Sequence, residues 1–363
     1  MHNIIMPIPL NKLSNEPLVS VWMTNYNYAN FLDESINSVL NQTYSKFELI
    51  ICDDGSTDNS LEIIKKYIRQ DNRIKLIEKK NGGVASALNN IYEISKGEII
   101  CFLDSDDYFA KTKVEKVEND FKKNPDCGVH THYMMRVNQN NQEQGRYPLF
   151  GKSPNGWLGE ELIKNDGSIL HIAPTSGISL RKEIIIKIFP IDIKLKSNID
   201  GFILTVSLLL SRIISNSKEL SFYRLHAQNL SNPFKKRNSV NEIISKRKRE
   251  SEITLQIYKM VNIWIEKHYK ERLVLNINNN WQFIECKYII CKLTNCSTKE
   301  MEFWYKKLIY HPLSNSNKYL KYFYMVVTKF NSSSFIFFLS LKSSQGRTKL
   351  FLGKIIQYFR NIL

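Results

Sequence analysis

The stretch Ile99-Ile100-Cys101-Phe102-Leu103-Asp104-Ser105-Asp106-Asp107 decides how this chain is read. An apolar run with the composition of a buried strand stops abruptly at three carboxylates within four positions, with no Lys or Arg among them. Packed carboxylates raise one another's pKa and oppose folding unless a cation sits among them, so the run points to a divalent metal or a cationic partner at a strand end. Asp and Ser are also ordinary turn formers. The flanking sequence has to choose between the two readings.

Upstream, strand-like and helix-like segments alternate. Residues 18–23 read as a buried strand closed by the polar loop 24–27, and residues 31–40 place Leu32, Ile36, Val39 and Leu40 on one helix face. Residues 47–52 form a second strand ending in Asp53 and Asp54. Asp58 is then expected to cap a helix with Leu61, Ile64, Tyr67 and Ile68 inward. A short strand at 73–77 leads through Asn81-Gly82-Gly83 into a small-residue helix, 84–95, which Gly97 is expected to stop. This alternation predicts an α/β fold, a mainly parallel sheet with helices on both faces. Ligands bind such sheets at the carboxyl ends of the strands, so loops 24–27, 53–58 and 104–107 would meet in one crevice.

Downstream, residues 114–121 read as helix, 127–137 as strand and 138–145 as a polar turn. Thr175, Ser176 and Gly177 fall in a loop leading into a strand. Asp200 heads an apolar helix over 201–214, and a strand at 220–226 ends on His226. From Pro233 the texture turns helical, with 240–264 interrupted by the basic run 246–249 and a further helix at 281–293. Residues 319–341 are aromatic-rich but broken, short of the roughly 18 uninterrupted apolar residues a spanning helix requires. The tail, 349–363, is a basic amphipathic segment suited to a membrane interface or to packing on its own domain. The organisation expected is a lead-in (1–16), an α/β domain (17–232) and a basic helical domain (233–363).

The charge supports that division. The chain carries 51 Lys+Arg against 35 Asp+Glu, a net +16; residues 1–232 hold 27 of each, and residues 233–363 hold 24 against 8. The whole excess is C-terminal, which suggests attraction to an anionic surface. No nucleic-acid module is recognisable, so a membrane surface is the expected partner. The six cysteines (52, 101, 127, 286, 291 and 296) show no metal spacing and read as reduced core thiols of a cytosolic chain. No secretory signal is visible, so the expected location is cytoplasmic, peripheral on the inner face of the membrane.

Taken in order, VSVWMTNYNYANFLDESINSVLNQTY (19–44), FELIICDDGSTDNSLEII (47–64) and NGGVASALNNIYEISKGEIICFLDSDD (81–107) resemble the family 2 glycosyltransferases, whose nucleotide-sugar-binding domain has the GT-A fold. The resemblance is close over about residues 17–108 and looser to about 232. It implies an inverting transferase that moves a sugar from a nucleotide diphosphate sugar, UDP-linked, to a hydroxyl of a glycan or lipid-linked acceptor in surface polysaccharide synthesis, with Mn2+ or Mg2+. Carried over by position, it assigns Thr24, Asn27, Asp53, Asp54, Gly82, Gly83, Asn89, Asp104 and Ser105 to the nucleotide sugar, with Asp104 near the ribose. Asp106 and His226 fall to the metal, and Asp200, in SNIDGFIL, to the catalytic base. Asp107, Thr175, Ser176 and Gly177 are candidates for the sugar or acceptor pocket. The chain departs from the family where an Arg often precedes the Asn after the double glycine; here Leu88 stands there, and Lys79 or Lys80 would have to supply charge.

Competing classes are a receiver-like signalling domain, a nucleotidyltransferase and a catalytically silent nucleotide-sugar-binding scaffold at the membrane. The first leaves NGGVASALNN unexplained. The second needs a Gly-rich basic loop after the first strand, which residues 24–28 lack. Release of nucleotide diphosphate in the presence of manganese separates enzyme from scaffold.

Overall fold

The computed structural model describes residues 5–147, 154–168, 173–226, 229, 239–269, 274–311 and 325. The chain forms two compact units, Met1–Leu162 with His171–His226, and Ile163–Leu170 with Ala227–Leu363.

The first unit opens with β1 (Val19–Asn25), α1 (Ala29–Leu40), β2 (Phe47–Asp53), α2 (Ser60–Ile68), β3 (Ile74–Glu78), α3 (Val84–Ile94) and β4 (Ile99–Asp104). The four strands pair in parallel in the order β3-β2-β1-β4. Strands covered on both faces read as continuous apolar runs, and β1 shows why. Val19, Val21 and Met23 share one core cluster with Leu32, Ile36 and Val39 of α1. Trp22, on the opposite face, meets Phe102 and Phe189 edge-on at 5.6 and 5.2 Å. Each such fully buried large side chain contributes about 1.5–3 kcal/mol.

The unit continues with β5 (Tyr108–Phe109), α4 (Lys113–Lys123), β6 (Cys127–Val137), β7 (Glu143–Tyr147), α5 (Gly159–Lys164), β8 (Ile178–Arg181), α6 (Lys182–Ile188), α7 (Ile199–Leu210) and β9 (Arg212–Arg224). Here the sheet turns mixed: β8 pairs antiparallel with β4 and β6, β9 parallel with β6, and β5 antiparallel with β9. Nine strands result. Register is what positions the site, because Asn25 stands opposite Asp53 and Thr24 opposite Asp104.

Several local expectations are corrected. Residues 143–147 form β7, paired with β6 around the turn 138–142, where the polar composition suggested only a turn. The helix expected to reach 214 stops at Leu210; the β-branched Ile213 and Ile214 lie instead in β9, in register with Val129 and His130 of β6. Asn198, in the left-handed region (φ 54°), precedes α7, so Asp200 sits inside the first turn rather than at the cap. Asn59 holds the cap position of α2, while Asp58 accepts the N–H groups of both Ser60 and Ala29 at 3.0 Å and so ties α2 to α1. Gly97 does not end α3, which stops at Ile94 with Ser95 already extended. It is needed for close approach: a Cβ there would stand 2.5 Å from the Ser20 amide nitrogen and hydroxyl. The Gly97 N–H donates to the Ser20 Oγ (2.8 Å), which donates to Glu48 (2.5 Å). Glu48 also accepts from Lys75 Nζ and the Lys96 N–H.

In the second unit α8 (Val240–His268) opens on a capping box of Ser239 and Glu242; α9 (Trp281–Thr294) and α10 (Thr298–Tyr310) follow. Trp281, Ile284, Tyr288, Ile289, Leu308 and Ile309 form its core. The basic run 246–249 does not interrupt α8: Lys246 and Arg247 each pair with Glu250 one turn on, at 3.2 and 2.8 Å. Cys291 and Cys296 are joined by a disulfide, which corrects their reading as reduced thiols; the left-handed Asn295 (φ 49°) turns the chain back to allow it. Among the described residues no helix is long and apolar enough to cross a membrane. The readings of 319–341, apart from Met325, and of 349–363 lie outside the described residues.

Gly97→Ala is expected to destabilise the first unit by about 1–3 kcal/mol through overpacking against the Ser20 backbone. Chemical denaturation followed by tryptophan fluorescence measures this, and an unchanged midpoint would contradict the close-approach account.

Candidate functional site

The site lies in the first unit, at the carboxyl ends of β1, β2 and β4, where β9 ends and the 3-10 turn Thr175–Gly177 arrives. Two sets of side chains gather there, and their hydrogen bonds give them different tasks.

The first set closes the β2 end. Asp53 accepts from the Asn25 amide (2.8 Å), the Ser56 N–H (2.8 Å) and the Ser56 hydroxyl (2.7 Å), so its carboxylate is engaged in its own turn. Asn27, left-handed at φ 59°, accepts the Thr57 N–H at 2.7 Å and donates its own N–H to Ser56. Asp54 binds Lys79 and the N–H groups of Gly82 (2.9 Å) and Gly83 (2.7 Å). The double glycine is therefore held from below by an acid, and Lys79 is occupied with it. Beside this set opens a polar cleft of about 490 Å³ lined by Asp53, Gly55, Ser56, Leu61, Lys79 and Lys80, among others. The Asn89 amide is engaged in a two-way clasp with the Ile191 backbone, 2.8 Å in each direction.

The second set is the acid loop. Carboxylate oxygens of Asp104, Asp106 and Asp107 all lie within 4.8 Å of one another. Ser176 receives the Asp104 N–H on its hydroxyl (3.0 Å), and its carbonyl accepts from Lys113 Nζ and the Ser221 hydroxyl, both at 2.7 Å. Gly177 is required behind it, since a Cβ there would stand 2.6 Å from the Ala173 methyl group. His226 Nε2 lies 2.9 Å from Asp106 Oδ2, with its ring packed on Phe31 at 4.6 Å. The Arg224 N–H donates to Asp107 Oδ1 at 3.0 Å. Thr24 stands beside Asp104 in register, and Ser105 is buried. Sequence reasoning passed over Arg224, Lys113 and Ser221. Arg224 was within sight, two residues before His226.

The electrostatics follow from the crowding. Burial, then the charges of Asp106 and Asp200, push the Asp104 carboxyl up to about 8 against the favourable pull of the Thr175 hydroxyl. Burial, then the charges of Asp106 and Asp104, hold Asp107 well above the usual carboxylate range, opposed by the Ser176 hydroxyl and the Arg224 N–H. Asp200 is raised by burial, opposed by the Gly201 N–H. Beneath them Lys113, fully buried, is brought down to about 7 by loss of solvent, with Cys101 and Asp107 pulling the other way. The three acids fit a hard divalent cation, since the donors they offer are oxygens. The His226 ring, expected to join them, is hydrogen-bonded to Asp106. Asp107 Oδ2 and Ser105 Oγ are buried without a hydrogen-bond partner among the described residues.

This α/β sheet gathers acids and a glycine pair at its strand ends, as the sequence resemblance implies. Residues 20–189 match the family model described as glycosyl transferase family 2. An uncharacterized glycosyltransferase of Nostoc sp. is 35% identical over 216 residues, covering 58% of this chain and 66% of that protein. Hyaluronan synthase of Pasteurella multocida is 42% identical over 119 residues, which cover 33% of this chain and only 12% of the synthase. The crystal structure of S. aureus TarS 1-349 shares the fold at TM-score 0.52 and 18% identity, with 89% of each chain covered. Residues 20–189 belong to family 2 of the glycosyltransferases, and the first unit that carries them has the GT-A fold.

A carboxyl held near 8 must lose its proton before a cation takes its place. Mn2+ affinity is therefore expected to rise with pH toward about 8, by up to about tenfold per unit for each proton displaced. Titration of the protein with Mn2+ at several pH values measures the slope, which Asp104→Asn should flatten.

Proposed function

We propose that this chain is an inverting glycosyltransferase that moves a sugar from a UDP-linked donor to a hydroxyl of a glycan or lipid-linked acceptor in surface polysaccharide synthesis. The observation that carries the reading is the convergence of Asp104, Asp106 and Asp107 at one strand end, within reach of the Asp200 charge. The local likeness to proteins named hyaluronan synthase and chondroitin synthase supports the polymer class of the product.

The division of labour in this reading draws on the geometry of the two sets. The β2 set, Asp53 with its turn and Gly82-Gly83 over Asp54, would wall the base and ribose side, its two loops held in shape by these internal bonds. Asp106, with Asp104 and Asp107, would hold the Mn2+ or Mg2+, and His226 keeps Asp106 oriented through its ring nitrogen. Bound there, the cation would offset the charge that develops on the departing diphosphate. Asp200 takes the proton from the acceptor hydroxyl, whose oxygen attacks the anomeric carbon opposite the leaving group. Burial raises the basicity of that carboxylate, as a proton acceptor requires.

We further propose that the basic C-terminal region, 24 Lys+Arg against 8 Asp+Glu over residues 233–363, meets an anionic membrane surface where a lipid-linked acceptor would lie.

Two substitutions separate the roles. Asp106→Asn is expected to cost metal-dependent transfer about 10- to 100-fold or more. Asp200→Asn should keep nucleotide binding while transfer falls about 10²- to 10⁴-fold, the range of a lost general base. Release of UDP from UDP-sugars with Mn2+, alongside calorimetric UDP binding, reads both; unimpaired transfer in Asp200→Asn would move the base elsewhere. For the membrane surface, co-sedimentation with vesicles containing phosphatidylserine is expected at low salt and should be lost at high salt. A chain left in the supernatant at low salt contradicts it.

A further inference from the structure

Arg224 is the last residue of β9 and is almost wholly buried (3% exposed), yet no step proposed above uses its side chain. Its backbone N–H donates to Asp107 Oδ1 at 3.0 Å and its Nε to the Asp106 carbonyl, also at 3.0 Å. The two outer nitrogens of the same guanidinium point away from the acids. One donates to Asn141 Oδ1 at 2.8 Å, and the other pairs with Glu34 of α1. Asn141 closes the circuit by donating its amide to the other Glu34 oxygen at 3.0 Å. The cation lies near the faces of Phe31 and Tyr108, at 5.4 and 5.1 Å from their centroids.

We propose that Arg224 is a positioning residue that sets the metal affinity of the acid loop, as a strut from Asp106 and Asp107 to an outer brace formed by Glu34 and Asn141. Three features carry this. On the loop side the guanidinium holds the Asp106 carbonyl, and the backbone N–H of Arg224 holds the Asp107 carboxylate, so the side chain fixes the loop backbone that carries both acids. A planar fork with five donors can serve the Asp106 carbonyl, Asn141 and Glu34 at once, which an ammonium cannot match. The outer brace is preorganised independently, because the left-handed Asn141 (φ 57°) sits in the turn between β6 and β7 with its amide fixed to Glu34.

The sign of the effect separates a strut from a bystander. A positive charge beside a cation site opposes the cation, so a bystander arginine would weaken metal binding, and neutralising it would tighten that binding. A strut behaves oppositely: removing it loosens the acids and weakens binding even though a repulsive charge has gone. This inference rests on the metal site proposed above, so Asp106→Asn serves as the control.

The test is titration of the full chain with Mn2+ alone, following free Mn2+ by electron paramagnetic resonance, with thermal melting of each variant in metal-free buffer. Arg224→Lys and Arg224→Gln are both expected to bind Mn2+ about 10- to 100-fold more weakly, the range found when groups supporting metal ligands are lost. Glu34→Gln and Asn141→Ala, at the partly exposed outer end, should shift affinity the same way by a smaller factor with melting little changed. Tighter or unchanged Mn2+ binding in Arg224→Gln overturns the proposal. If the Arg224 variants do not fold, unchanged affinity in both outer variants overturns it, and weakened affinity in them sustains it. If Asp106→Asn retains full Mn2+ binding, or the unaltered chain binds none, the metal site itself falls and this inference with it.

Discussion

Like charge held at close quarters is the constraint from which the rest of this site follows. Asp104, Asp106 and Asp107 bring carboxylate oxygens within 4.8 Å of one another, and Asp200 adds its field to Asp104. In water such a group would separate. Here each acid is tied to a different residue: Asp104 through its N–H to Ser176, Asp106 to His226 and Asp107 to the Arg224 N–H, the last two at the end of β9. The 3-10 turn that carries Ser176 is in turn fixed by Lys113 from α4 and Ser221 from β9. The sheet thus spends part of its stability on keeping a repulsive arrangement intact, which is what a site prepared for a cation requires.

The parallel half of the fold is visible in the sequence because its strands are buried on both sides. Continuous apolar runs ending in Asn25, Asp53 and Asp104 leave little choice of register, and the pairing of Thr24 with Asp104 follows from it. The mixed half is harder. β7 reads Glu-Gln-Gly-Arg-Tyr and is exposed along most of its length, so no apolar period marks it. β9 mixes Lys218 and Glu219 with apolar residues, and its first isoleucines follow directly on a helix of the same composition.

At the site, carboxylates and glycines stood out because they recur at the ends of several apolar runs, whereas most of their supports did not. Ser176, Lys113 and Arg224 are defined by what they touch across the sheet rather than by any local pattern. Asn89 shows the opposite difficulty, since its place after the double glycine suggested a ligand while its amide clasps the Ile191 backbone. Asp53 and Asp54 were likewise singled out as acids; their geometry shows how much of that chemistry is internal, with one closing its own turn and the other carrying the glycine loop.

The bonds that complete the acid loop also place it in time. Asp107 meets Arg224 across 117 positions of chain, Asp106 meets His226 across 120, and Glu34 meets Arg224 across 190. Contacts of such long range carry a large loop-closure entropy and form after the local strand–helix units have assembled. A nascent chain that has emerged only through β4 carries the acids without the partners that hold them. Those acids are then close to ordinary solvated aspartates. The arrangement that crowds them exists only once the β9 end has docked.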